Sequence, residues 1–499
     1  MNYKYMIMLM LSILFSLSAC DLNEDTSGFS QPGTFYRTKA ECQSAVNACY
    51  IPLKTIFNYA YMIATEGVTD ICYIPSGTQD AQLDITPAKP RYGATVWTQG
   101  YKGVMYCNST IAGVQKSELE GKIKNPIIAE AKILRALYYY ILTSFFGDVP
   151  FYTKDVSDQT VLMEVAKLPR MSAVDTRDAL IKDIESCIQD LDKVRTSESP
   201  QQRIGAAVGY MIMAKMAMWN KEYEKALVYL GELEGIYGDF SQYPLSDIPF
   251  RNKNTPESIF EIQHTFTPGG LNYTTNIGCI CMPYPRSIDS ETKVSTYCGV
   301  EIEELGSEAT TWVPMRPNDY FYLSLQSETS GDLRRDMNIV SEWNEHKFNK
   351  TRPFFGPKFW CPNQQGQYDS NNHKVFRYAD ALLMISECYC ALKQEPDKAV
   401  KYLNMIKSRA GLPEYIFANW NKLFLEIKAE RARELIGEFQ RKYDLVRWGE
   451  WYDRTYEYSD YEKVKNNILP CHEYYPIPDT EVVYSGYALD NKAYNACGL

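Results

Sequence analysis

The densest concentration of reactive side chains in the chain is ERARELIGEFQRKYDLVRWG, residues 430–449, where Arg, Glu, Asp and Lys recur among Leu, Ile, Phe, Tyr and Trp. Carboxylates and guanidinium groups packed this closely serve acid–base catalysis, an anion clamp, or an ion-paired lattice inside a fold. On one continuous helix at about 100° per residue, Glu430, Arg433, Glu434, Glu438 and Arg441 share an arc of roughly 140°. Ala432, Leu435, Ile436 and Phe439 take the opposite side. Acid and base alternate at i,i+3 and i,i+4, the spacings at which side chains meet along a helix. A catalytic pair instead needs two groups driven to different pKa values in a cleft. Here each acid has an Arg within reach, which keeps it ionised. These five residues are therefore expected to be structural ion pairs.

Few other chemistries have raw material. The four histidines, His264, His346, His373 and His472, form no HExxH or HxH arrangement, and no Cys-x-x-Cys occurs. No metal or cofactor is expected. The phosphate-binding and nucleophile-elbow signatures GxxxxGK[ST], GxGxxG and GxSxG are missing. A net charge of −10 without a basic stripe argues against nucleic acid as a partner.

The elements that must position these groups are mostly helical. Apolar periodicity of helical type fills about 38–64, 98–146, 174–237 and 378–452. Between them, 66–97 and 239–375 are rich in Gly, Pro, Asn and Ser, with short β-like runs such as SIFEIQH at 258–264 and many aromatics. The tail, 453–499, reads as irregular. In GYMIMAKMAMWNKEYEKALVYLGEL, Ala214 and Ala226 stand twelve apart, with Tyr210, Met213, Leu230 and Leu233 at tetratricopeptide core positions. A weaker copy follows in YADALLMISECYCALKQEPDKAVKYLNMI, with Leu383, Ala399, Leu403 and Ile406. The pattern predicts a mainly α fold: a discontinuous, tetratricopeptide-like helical-repeat scaffold whose stacked neighbours bury each other's faces. A loop-rich, mostly irregular half is inserted into it and is expected to carry the ligand.

The chain opens with Lys4 and an apolar run from Met6 to Ala19, a length that suits a signal peptide more than a membrane span. It ends in Leu17-Ser18-Ala19-Cys20, which resembles a bacterial lipobox, so residues 1–19 are expected to be removed and Cys20 acylated. Several acyl chains on one residue anchor stably, where a single chain is marginal. Residues 20–34, beginning with the acidic Asp21-Leu22-Asn23-Glu24-Asp25, read as a tether, and 35–499 as one folded body. The thirteen cysteines other than Cys20 are mostly expected to be small buried hydrophobes, with disulfides open to them after export.

Several stretches together resemble the SusD/RagB family of surface lipoproteins from gut Bacteroidetes. EAKILRALYYYILTSFFGDVPFY (130–152) resembles its Arg-Ala-aromatic helix ending in Phe-Gly-Asp-Val-Pro. VFRYADALLMISEC (375–388), WTQGYKGVMYCNSTI (97–111), YYPIPDTEV (474–482) and the 430–449 segment itself resemble further family stretches, in the family's order. The last residues, LDNKAYNACGL, match the usual ending only loosely. The resemblance implies a lipid-anchored protein on the outer face of the outer membrane. It implies a SusC-like TonB-dependent barrel as partner, and delivery of oligosaccharides, or in RagB-like members oligopeptides, into the periplasm. It implies binding without catalysis, contact with the membrane through the anchor only, and structural roles for the family motifs.

A sugar binder needs flat rings for C–H faces and polar groups for hydroxyls. With 39 Tyr and 8 Trp the chain has many rings to offer, and the loop-rich half sets several beside polar neighbours. The candidates are Tyr73 beside Ser76-Gly77-Thr78-Gln79-Asp80, Trp312 with Arg316 and Tyr320 after it, Trp343, and Trp360. Tyr273 and Tyr284 flank a Gly- and Thr-rich segment, and each ring has a competing reading as a packing residue. Arg334, Arg335 and Asp336 read as a turn with local ion pairs. A glycosidase using two carboxylates is the enzyme alternative, but nothing isolates such a pair among 62 acidic residues.

Overall fold

A computed structural model describes residues 35–267, 272–305, 308–350, 352–362 and 364–499. The expected leader, acylation site and tether, Cys20 included, lie outside the described residues. Among the described residues eighteen α-helices carry the fold, and β structure is confined to five sheets of two or three strands. The fold is mainly α, with the helical-repeat scaffold that the periodicity predicts.

The scaffold helices are α1 (Lys39–Ile56), α2 (Tyr59–Thr65), α3 (Tyr92–Lys116), α4 (Gly121–Phe146), α5 (Ala173–Glu185), α6 (Ala206–Trp219), α7 (Tyr223–Tyr237), α8 (Tyr378–Leu392), α9 (Pro396–Arg409), α10 (Trp420–Leu435) and α11 (Arg441–Trp448). Neighbours stack in series: α3 on α4, α4 on α5, α6 on α7, α7 on α8, and α8 on α9 and α10, with α1 lying across α3 and α4. Ala214 and Ala226 are fully buried between α6 and α7, and Ala399 between α8 and α9, so the small residues sit where paired helices approach. The flanking Met213, Leu230, Leu233, Leu383, Leu403 and Ile406 are all solvent-free core.

The insert joins the scaffold through a two-stranded sheet, Ser258–Ile262 antiparallel to His373–Arg377, fully buried along both strands. A second, smaller hydrophobic cluster inside the insert contains Met282, Tyr297, Phe348, Phe354 and Trp360. The described cysteines are free thiols, all buried except the half-buried Cys497.

Two expectations fail here. The tail 453–499 is not irregular: short helices occupy Trp451–Tyr458, Glu462–Asn467, Asp479–Tyr484 and Lys492–Ala496. Residues 430–449 do not form one helix. Helix α10 ends at Leu435, Gly437 turns the chain at φ 74° and Phe439 at φ 62°, and α11 begins at Arg441. Gly437 is required twice over, because a Cβ would also lie 2.3 Å from the Phe359 ring. The charges therefore pair across elements more than along one helix. Glu430 does pair with Arg433 three residues on, at 2.6 Å, but also with Arg334 at 2.7 Å. Glu434 meets Arg334, Arg377 and Arg409 at 2.6–2.8 Å. Glu438 meets Arg377 and Lys358, and Arg441 meets Asp70 at 2.6 Å. The turn expected at 334–336 does hold local ion pairs, Arg335 with Asp336 and Arg334 with Asp332 at 2.7 Å, but Arg334 also reaches into this lattice. Burial pushes the Glu430 carboxyl up, but Arg334 and Arg433 outweigh it and hold it at about 2. Glu434 is held well below the carboxylate range by the same balance, with three arginines against burial.

Candidate functional site

On the insert side, α2 begins where Asn58 interrupts the helical run. The Asn58 side chain accepts from the backbone N–H groups of Ala60 and Tyr61, an N-cap that leaves Tyr59 at the first helical position. The Tyr59 N–H in turn reaches Asn276 Oδ1 at 3.3 Å. Beside it, the short strand Cys72–Tyr73 pairs antiparallel with Arg316–Pro317. Asn318 locks this junction: its amide nitrogen donates to the carbonyls of Thr69 and Asp70, and its N–H to that of Ile71. These contacts bring residues 59–78 of the scaffold edge against residues 280–313 of the insert.

A cavity of about 400 Å³ opens between them. Three rings frame it. Trp312, half-buried, meets Tyr59 edge to face, with centroids 5.0 Å apart at 88°. Tyr284, 41 % exposed, stands on the same wall just before a cis proline, Pro285. Ile63, Ile74 and Ile280 make the apolar floor, and Ser76, Thr78 and Thr311 supply hydroxyls. The Thr78 hydroxyl oxygen is buried and has no hydrogen-bond partner among the described residues. Rings, aliphatic side chains and hydroxyls in a cavity of this size are the features a small-molecule site uses, stacking for affinity and hydroxyls for direction.

Trp312 is held from below. Its N–H donates to Cys279 O at 2.8 Å, and the Met315 N–H donates to Ile280 O at 2.8 Å. The turn Gly278–Ile280 is fixed in its turn by Asp369, whose Oδ2 accepts from the Gly278 N–H at 2.9 Å while Oδ1 accepts from that of Asn371. A Cβ on residue 278 would lie 2.8 Å from Asp369 Oδ2 and 2.7 Å from Gln364 Oε1, so only glycine fits. Asp369 is fully buried with no ion-pair partner among the described residues. Burial raises its pKa to about 6, against the lowering pull of the two backbone N–H groups.

The ring candidates fare differently. Trp312 lines the cavity. Trp360 is 0 % exposed in the second core, its Nε1 donating to Phe355 O at 3.1 Å, so it packs and cannot meet a ligand. Trp343 lies against it edge to face at 4.8 Å. Tyr73 is 4 % exposed, with its hydroxyl accepting from Arg352 at 2.8 Å, and Arg316 covers the Phe354 ring and donates to the carbonyls of Arg352 and Pro353. Both brace the loop beside the cavity without lining it. Tyr320 is 43 % exposed but stacks on Tyr458 at 4.0 Å, away from the cavity wall. Tyr59 was missed because it sits inside a helical segment. The signal that finds it is Asn58, a capping residue in mid-run. Among the described residues no group of three or more His, Cys, Asp or Glu is placed to hold a metal ion, and no helix is long and apolar enough to cross a membrane.

Comparison with known proteins follows the same lines. A family model described as "SusD family" matches residues 335–491, and a second, described as "Starch-binding associating with outer membrane", matches residues 41–218. The chain belongs to the SusD/RagB family. The SusD-like protein P25 of Formosa agariphila is 26 % identical, with 97 % of each chain covered. Among solved structures, a SusD superfamily protein from Bacteroides vulgatus superposes with a TM-score of 0.72 at 18 % identity, over 92 % of this chain and 99 % of that one. Surface glycan-binding protein A from Bacteroides thetaiotaomicron, solved in complex with laminarihexaose, gives 0.70 at 22 % identity, over 90 % and 98 %. The SusD fold thus accounts for both the helical scaffold and the insert carried on it.

Proposed function

We propose that this SusD-like protein captures oligosaccharides at the cell surface in the Tyr59–Tyr284–Trp312 cavity and passes them to a SusC-like TonB-dependent barrel. In this reading Cys20 carries the lipid anchor in the outer membrane, and the folded body faces the cell exterior. The observation that carries it is the cavity itself: three rings and aliphatic side chains, with Ser76, Thr78 and Thr311 among the lining residues. A similar protein solved with laminarihexaose supports a glycan as the cargo class. The lining is one of grip, whereas glycoside hydrolysis takes a pair of carboxylates flanking the scissile bond; the protein binds its cargo and releases it unchanged.

Stacking and neutral hydrogen bonds are weakly screened, so retention of a neutral glycan persists at high salt. Affinity gel electrophoresis against a polysaccharide panel tests the reading. At least one polymer retards the wild type, and Trp312→Ala abolishes that retardation. A panel without any retained polymer, or a peptide found in the purified protein by mass spectrometry, overturns the glycan cargo.

A further inference from the structure

A second cavity, of about 330 Å³, lies where α1 meets the insert. Leu53, Phe260 and Ile262 line its apolar part, and Lys54, Gln201 and Gln202 its polar rim. Two stretches of chain run from this cavity to the ring cavity: residues 54–59, and residues 273–280, with Tyr273 lining the one and Ile280 the other.

The charges around this cavity are not balanced. Arg203 on its rim is neutralised by Glu130 at 2.9 Å, and Glu261 by Lys374 at 3.0 Å. Lys54 has no carboxylate within ion-pair distance among the described residues, although the chain as a whole is acidic at −10. Its ammonium sits 3.6 Å from the centroid of the Tyr273 ring, which fixes it in place but accepts none of its N–H donors in the sense a carboxylate would. Burial lowers the Lys54 pKa, the mark of a cation losing water without gaining a counter-ion. The two glutamines beside it occupy consecutive left-handed positions, Gln201 at φ 57° and Gln202 at φ 51°. Non-glycine residues held this way are strained, and such strain concentrates at ligand clamps.

We infer that this second cavity is an anion-recognising sugar subsite, in which Lys54 takes a carboxylate or sulfate ester, Gln201 and Gln202 take hydroxyls, and the Leu53–Phe260–Ile262 surface takes a C–H face. The inference rests on the glycan reading above and narrows it to acidic glycans. Uronates and sulfated sugars share the required chemistry, and the experiment separates them.

Affinity gel electrophoresis is run with polygalacturonate, carrageenan and neutral laminarin on wild type, Lys54→Met and Gln202→Ala. Wild type is retarded by at least one acidic polymer, and retardation by polygalacturonate alone assigns a carboxylate, by carrageenan alone a sulfate ester. Lys54→Met weakens that binding about tenfold, the worth of a hydrogen bond to a charged group, and leaves Tm and any laminarin retention unchanged. Raising salt from about 0.05 M to about 0.5 M weakens the acidic binding of the wild type and has little effect on that of Lys54→Met. Gln202→Ala weakens it less and keeps the salt dependence. The inference is overturned if neither acidic polymer retards the wild type, or if Lys54→Met binds the acidic polymer as the wild type does. Laminarin retention lost in Trp312→Ala, with no acidic retention at all, removes this inference and leaves the glycan reading standing. Failure of every polymer removes the glycan reading itself.

Discussion

The C-terminal ion-pair lattice and the ring cavity handle buried polarity in opposite ways. In the lattice, Glu430, Glu434 and Glu438 are each met by two or more cations, and the carboxyls of Glu430 and Glu434 are driven below their ordinary range. Under the cavity, Asp369 is equally buried but is met by backbone N–H groups, and its carboxyl is driven up. Arginines from three other parts of the chain, 334, 377 and 409, converge on α10, so the lattice ties insert to scaffold. Asp369 ties only nearby backbone, that of Asn371 and of the turn that holds Trp312. Charge here holds the architecture, and neutral or proton-accepting groups shape the proposed cargo cavity.

The largest effect comes from breaking the lattice. Glu434→Ala removes one carboxylate from the shared set around Arg334, Arg377 and Arg409, leaving them Asp332, Glu430, Glu438 and Glu257, and removing one member of a buried ion-pair set costs about 3–5 kcal/mol. Urea unfolding of the variant should show a midpoint lowered accordingly; a loss under about 1 kcal/mol, the level of exposed pairs, contradicts the account.

Next in size is the pH response. Glu430, lowered to about 2 from 4.5, contributes stability that is present above pH 4.5 and lost as pH falls through about 2. Asp369, raised to about 6 from 3.8, contributes the reverse: stability present below pH 3.8 and lost as pH rises through about 6. At about 1.4 kcal/mol per pKa unit, this amounts to roughly 2–3 kcal/mol for Asp369. Unfolding free energies of wild type and Asp369→Asn should therefore diverge across that window, with the wild type losing more stability as pH rises. Parallel curves would place the titration elsewhere.

Gly278→Ala forces a methyl against Asp369 and Gln364, an overpacking worth about 1–3 kcal/mol. Because the turn carries Trp312, glycan affinity falls with it, which calorimetry on the folded variant can show. Smallest is Tyr320→Ala, outside the cavity, for which binding should change by less than about 0.5 kcal/mol. A large loss of binding there would shift the site along the insert.

The helices were legible because burial of paired faces imposes the 3.6-residue period, and the Ala214/Ala226 spacing marks their closest approach. The strand Ser258–Ile262 was legible as a short β-like run. The break at Gly437 was not, because the charge alternation runs through it and a single glycine in an apolar–charged stretch is weak punctuation. Arg334 reads as a local turn residue because only its near partner, Asp332, is legible in sequence; Glu430 and Glu434 lie about a hundred positions away. The same limit governs the site. Trp312 and Trp360 have similar polar neighbours in sequence, and only tertiary packing puts one at a cavity and the other in a core.

The contrast between those two rings offers the most direct test of the account. Titration calorimetry with an oligosaccharide retained by the wild type, run on Trp312→Ala and Trp360→Phe with Tm recorded for both, separates grip from architecture. The account predicts that Trp312→Ala loses at least about 2 kcal/mol of binding, roughly thirtyfold, with Tm nearly unchanged, while Trp360→Phe lowers Tm and keeps the affinity. Binding undiminished in Trp312→Ala would contradict it.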